Sequence, residues 1–172
     1  MKVFCVFGVS KSGKTTTIEK IIKELKKRGH GVASIKDIHS EEFSMDTPGT
    51  NTWRHMQAGS EMVVGRGMAE TAVIINRRLE ISELLKWFDH DFVVIEGGNS
   101  ENFPKILTAG DIEEAIEKID ESVFAISGVV SEQNIELCGR PVINALTNVE
   151  KLVDIIENIP QYRCHISQNQ QP

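Results

Sequence analysis

Apolar positions along the chain follow two rhythms that alternate. Residues 3–7 and 92–95 are short runs with no polar interruption, the pattern of strands buried on both faces of a parallel sheet. From Lys14 onward, Ile18, Ile21, Ile22 and Leu25 recur at helical spacing. Glu19 with Lys23, and Lys20 with Glu24, are set four residues apart for the outer face, and Gly29 after Lys26, Lys27 and Arg28 marks the helix end.

The same reading predicts strands over 32–36, 61–64, 71–76, 123–126 and 141–144, with Gly65 and Gly67 turning the second and third of these into a hairpin. Helices are predicted near 53–58 and over 81–88, 111–119 and 149–159. Residues 37–52 form a polar stretch with Pro48 and Gly49, longer than an ordinary turn and of the kind that carries function. Strands alternating with helices imply an α/β three-layer sandwich with a mostly parallel central sheet and helices on both faces. We expect one nucleotide-binding domain over 1–172, with 161–172 as a flexible tail.

Composition adds exclusions. The 172 residues carry a net charge of −6 and no basic stripe, so nucleic acid is not an expected partner. No apolar run approaches the roughly 20 residues that cross a bilayer, and the first residues lack signal-peptide character, so a cytoplasmic protein is expected. Cys5, Cys138 and Cys164 form no Cys-x-x-Cys pair, which suits a reducing compartment. Cys164 beside His165 lacks the further ligands of a metal site, leaving Mg²⁺ as the expected metal.

The chemistry concentrates after the first strand. Gly8, Val9, Ser10, Lys11, Ser12, Gly13, Lys14 and Thr15 match G-x-x-x-x-G-K-[ST] between a strand and a helix. Such a loop turns backbone N–H groups inward around a polyphosphate, and the following helix adds the positive end of its dipole. Lys14 is expected on the β- and γ-phosphates, Thr15 on Mg²⁺ and Thr16 on a further phosphate. Lys11 reads as a solvated loop residue.

Glu96, ending the run 92–95, stands where such proteins hold Mg²⁺ through water, and Gly97 allows close approach to the γ-phosphate. Asp37 ends the second strand and is a further metal candidate; His39 and Asp46 are weaker ones. Arg54 and Gln57 can serve hydrolysis or simply face solvent, so no catalytic residue is assigned. Contacts to the base are expected near Ser127 and Gly128, because ligands bind at the carboxyl ends of strands. No Asn-Lys-x-Asp motif is present.

After this loop the chain shows Ile35, Lys36, Asp37 and His39; Asp46, Thr47, Pro48 and Gly49; Trp53 with Arg54; Ala58, Gly59 and Ser60; Glu96 with Gly97; and Pro104, Lys105 and Ile106. In this order they resemble the molybdopterin-guanine dinucleotide biosynthesis protein B (MobB) family over most of the chain. The resemblance implies a homodimer that binds GTP, hydrolyses it slowly, and assists the MobA-type guanylyltransferase that joins GMP to molybdopterin. It leaves open whether molybdopterin itself binds, for which Lys36, Arg54 and Lys105 are basic candidates. Asn51, where relatives carry Asp, and Gly98, where many carry a larger residue, depart from the pattern and weaken the case for turnover. The alternative is a small-molecule kinase that uses ATP on the same loop, with residues 37–52 as acceptor site and Arg77 and Arg78 as its only adjacent arginines.

Overall fold

In the computed structural model, residues 1–97, 102–133 and 136–163 are described. Gly98, Cys164, His165 and the tail from residue 164 lie outside them. The chain divides into two compact units, Met1–Asp37 with the segment from Phe88 onward, and Ile38–Trp87.

The first unit is built on five strands: β1 (Lys2–Phe7), β2 (Val32–Lys36), β5 (Phe92–Glu96), β6 (Lys105–Thr108) and β7 (Val123–Ser127). They lie in the order β2-β5-β1-β6-β7, every neighbouring pair parallel. Each crossover returns the chain to the same edge, so all five carboxyl ends line one side of the sheet. Helices α1 (Lys14–Lys27) and α5 (Val149–Ile156) cover one face, joining Ile21, Leu25, Leu152 and Ile156 to Phe4, Val94 and Ile106 in a single core. Helix α4 (Ile112–Lys118) covers the other through Ala115, packed with Leu107 and Ile126. The expected α/β layering is therefore present.

Strand β6 is absent from the pattern-based reading although it sits between β1 and β7. Its run is four residues, begins with a lysine and ends with a threonine, too short and too polar to signal a buried strand. All four residues are nonetheless buried, because neighbours on both sides satisfy the backbone. Lys105, 5% exposed, points its ammonium at the Asp120 carboxylate, 3.7 Å away, and over the Phe7 ring. That burial removes it from the basic side chains offered to a ligand, against expectation.

Glu24 corrects a second expectation. Instead of sitting on the outer face with Lys20, it is 7% exposed and accepts from Arg28 at 3.0 Å and Lys27 at 3.2 Å. Arg28 also reaches Asp154 at 2.7 Å and Glu157 at 2.8 Å, tying the end of α1 to α5. Glu24 thus takes Arg28, its other i,i+4 neighbour, in place of Lys20; such a pair is worth about 0.3–0.5 kcal/mol on an open helix face, and here Arg28 is also anchored to α5. The strand predicted over 141–144 reduces to β9 (Arg140–Pro141), paired with β8 (Glu136–Leu137), and a parallel bridge from Val142 to Ile126.

In the second unit, α2 (Asn51–Gln57) is capped by Thr50, whose hydroxyl accepts from the Trp53 amide at 3.3 Å. Asp46 organises the segment before it: Oδ1 accepts from the Thr47 amide and from the Thr50 and Thr52 hydroxyls, at 2.9, 2.9 and 3.0 Å. The predicted hairpin forms as β3 (Met62–Arg66) against β4 (Thr71–Ile75), antiparallel, with Met62 opposite Ile75. The helix predicted over 81–88 is shorter. Glu80 and Glu83 form a capping box over α3 (Ile81–Leu84), which tightens into a 3₁₀ turn at Leu85–Trp87.

Candidate functional site: the glycine-rich loop at the carboxyl edge

Strand β1 runs straight into the loop at 8–13, which only three left-handed backbone positions allow: Gly8 at φ 147°, Lys11 at 65° and Gly13 at 101°. Lys11 is the one non-glycine among them and is exposed, so a side chain sits where L residues are disfavoured by roughly 1–2 kcal/mol. Such strain clusters at ligand clamps. Ser10 is exposed as well.

The loop is braced from the strands beside β1. A Cβ on Gly8 would lie 1.9 Å from the Thr108 carbonyl oxygen, and one on Gly128 would lie 2.2 Å from the Ser12 carbonyl oxygen. Ser12, 1% exposed, shares a 2.8 Å hydrogen bond with the Thr108 hydroxyl, which also donates to the Phe7 carbonyl at 3.1 Å. The Ser12 hydroxyl is thus committed to the scaffold, and a ligand would meet this residue only through its backbone. Val129 donates its amide to the Ser12 carbonyl at 3.2 Å.

Helix α1 opens at Gly13 with no side-chain cap and no acidic residue in its first turn. Its leading N–H groups therefore point out unneutralised, which favours an anion. The Lys14 ammonium folds over the loop and donates to the Gly8 carbonyl at 2.9 Å and to that of Val9. Thr16 is exposed on the same turn.

Beside this turn stands the predicted acid. The Thr15 hydroxyl donates to Glu96 Oε1 at 3.2 Å, and the Lys36 ammonium donates to the same oxygen at 3.2 Å. The Glu96 side chain is 16% exposed. Parallel pairing of β2, β5 and β1 brings Lys36, Glu96 and Val6 into register, which explains the meeting of residues so distant in sequence. Gly97, at φ 95°, donates its amide to the Val6 carbonyl at 3.0 Å and lies against Asp37, whose amide reaches the Glu96 carbonyl at 2.9 Å. Asp37 is thereby at the edge of the site through its backbone.

A hydroxyl and a carboxylate in contact form a hard oxygen set that fits Mg²⁺, an ion that takes one or two protein ligands and completes its shell from water and phosphate. Among the described residues no group of three His, Cys, Asp or Glu side chains is placed to hold a metal. His39, Asp46, Asn51, Arg54 and Gln57 all belong to the second unit.

Ser127 is fully buried, and Gly128 has its Cα against Gly13, backing the loop from beneath. The structural work of Thr108 and Gly128 went unseen in the pattern; the Gly at the end of a strand was its one visible signal.

The family model for molybdopterin guanine dinucleotide synthesis protein B matches residues 3–131, three quarters of the chain. The chain belongs to the MobB family. Among its MobB relatives, the molybdopterin-guanine dinucleotide biosynthesis adapter protein of Haemophilus influenzae is 31% identical, covering 89% of this chain and 86% of that one. A relative from Methanocaldococcus jannaschii is 33% identical over 89% of this chain and 73% of its own. The crystal structure of Bacillus subtilis MobB superposes with a TM-score of 0.75 at 25% identity, covering 91% and 96% of the two chains. The MobB structure thus has the same parallel-sheet architecture. Among the described residues no helix is long and apolar enough to cross a membrane.

Proposed function

We propose that this MobB-family chain is an adapter in molybdopterin-guanine dinucleotide biosynthesis that binds GTP with Mg²⁺ and, as a homodimer, assists the guanylyltransferase. The observation that carries the nucleotide reading is the contact of the Thr15 hydroxyl with Glu96 Oε1 at 3.2 Å, beside the uncapped start of α1. Backbone amides of the loop and of Lys14, Thr15 and Thr16 would take the phosphates. Lys14 would exchange the Gly8 and Val9 carbonyls for phosphate oxygens, a better partner for an ammonium.

Mg²⁺ would lie between Thr15 and Glu96, where it neutralises phosphate charge. Lys36 already donates to Glu96 Oε1, so this ammonium would share the carboxylate with a bound ion or give it up.

The test is a titration with fluorescent GTP and ATP analogues, with and without Mg²⁺, on the wild type and on Lys14→Ala. Mg²⁺-dependent GTP binding lost in the variant, together with nucleotide-dependent association with the guanylyltransferase, is the expected result. Preference for ATP would instead favour phosphate transfer to a small molecule, and absence of association in every nucleotide state would end the adapter reading.

A further inference from the structure

Lys36 closes β2, the edge strand of the sheet, and stands directly opposite Glu96 in the parallel pairing with β5. Residues paired in this way share a face of the sheet, so strand register sets the ammonium beside the carboxylate. Its 3.2 Å bond goes to Oε1, the oxygen that also accepts from the Thr15 hydroxyl at 3.2 Å. The two ends of this ion pair differ in freedom. The Glu96 side chain is 16% exposed, whereas that of Lys36 is 60% exposed and rides on a flexible stem. An ion pair so open to water is weak, and its cation is readily exchanged.

Charge decides how a divalent ion would fare here. Glu96 and Lys36 cancel and Thr15 is neutral, so the three side chains together offer such an ion no net attraction. The Lys14 ammonium, held by the Gly8 and Val9 carbonyls, belongs to the same site and adds repulsion. Mg²⁺ sheds water reluctantly and is held by few carboxylates, with phosphates completing its shell. A carboxylate already engaged by an ammonium is therefore a poor metal site by itself. A triphosphate on the loop reverses the balance, because it brings several negative charges and gives Lys36 acceptors other than Glu96.

We propose that Lys36 is a positioning residue that makes metal binding conditional on nucleotide: its ammonium holds the Glu96 carboxylate until a nucleoside triphosphate binds, and then moves to a phosphate oxygen. This rests on the nucleotide reading above and adds the order in which the two ligands can enter. Triphosphate and divalent ion load the site together, and neither reaches full affinity alone. By linkage the dependence is mutual, each ligand raising the affinity of the other by the same factor.

Mn²⁺ serves as the probe, since electron paramagnetic resonance reads the free ion directly. Titrations at low salt and without nucleotide use the wild type, Lys36→Met, Lys36→Arg and the double variant Lys36→Met with Glu96→Gln. A unit positive charge about 6 Å from a divalent ion weakens its binding roughly tenfold even in water. Lys36→Met should therefore bind Mn²⁺ alone about tenfold more tightly than the wild type. Lys36→Arg should match the wild type, and the double variant should lose the gain. The second measurement is GTP affinity in Mg²⁺, which Lys36→Met should lower about tenfold, one charge-assisted hydrogen bond, and which Lys36→Arg should preserve. Opposite changes in the two affinities cannot come from misfolding. Equal Mn²⁺ affinity in the wild type and Lys36→Met, a gain that survives the loss of Glu96, or unchanged GTP affinity in Lys36→Met overturns the proposal and leaves the loop's role standing. Failure of the wild type to bind GTP in Mg²⁺ removes the nucleotide reading itself.

Discussion

The Ser12 and Thr108 hydroxyls lie 2.8 Å apart in the interior, joining the glycine-rich loop to the end of β6 across a separation of 96 residues. Thr108 extends the link to the Phe7 carbonyl, so one hydroxyl holds both ends of the loop's entry. Thr108→Val keeps the shape and leaves two buried groups without their partner. We expect a loss of about 1–3 kcal/mol in stability, with weakened GTP binding. Urea unfolding and a GTP titration on the same preparation check both; unchanged values in the two assays would show that the brace has no role.

Gly8 and Gly128 face backbone oxygens, which cannot swing aside as a flexible side chain does. Gly8→Ala and Gly128→Ala should each displace the loop and abolish nucleotide binding. Gly139 is the matched control, since it is also left-handed, at φ 71°, yet a Cβ there meets nothing within 4 Å. Gly139→Ala should lower stability by about 1 kcal/mol through backbone strain alone and leave binding intact. Equal loss of binding in all three would attribute the effect to strain rather than to the clash.

Removal of Mg²⁺ with a chelator should weaken GTP binding in the wild type. In Glu96→Gln the metal should matter less, with the gain in affinity on adding Mg²⁺ reduced about 10-fold, since disturbing a metal's supporting groups costs that much or more. Isothermal titration with and without the ion measures the difference, and an undiminished Mg²⁺ effect in the variant would remove Glu96 from the metal site.

The carboxyls at the α1–α5 contact sit below their ordinary range: the Arg28 guanidinium depresses Glu24, and His30, 2.8 Å away, chiefly depresses Glu157 with Arg28 adding to it. A carboxylate depressed in the folded state contributes stability that is complete above its unfolded value, near 4.5, and disappears as pH falls through the lower folded value. Thermal stability should therefore decline below about pH 4.5, and Arg28→Met should show a shallower decline from a lower starting point. Parallel melting curves for the two proteins between pH 7 and pH 3 would refute the network's role in acid sensitivity.

Much of the candidate site was readable from the chain because its parts are local. The loop at 8–15 is one contiguous segment whose glycines, lysine and threonine carry their own conformational reasons, and Glu96 announces itself as the acid closing an apolar run. The strands at 3–7 and 92–95 were legible for a similar cause, an unbroken apolar stretch that has no other low-energy place than a sheet interior. What the order of residues could not reveal depends on who lies beside whom. β6 is too short to signal itself and becomes a strand only because β1 and β7 flank it; Glu24 carries charge yet is buried, since the Arg28 it pairs with is itself held by Asp154 and Glu157 of a distant segment. The neighbours of the loop, Thr108 beneath Gly8 and Gly128 beneath Ser12, follow from strand order. Local backbone chemistry determined where an anion can be held, and long-range parallel pairing, invisible in any single segment, decided which residues hold that loop in shape and what stands next to it.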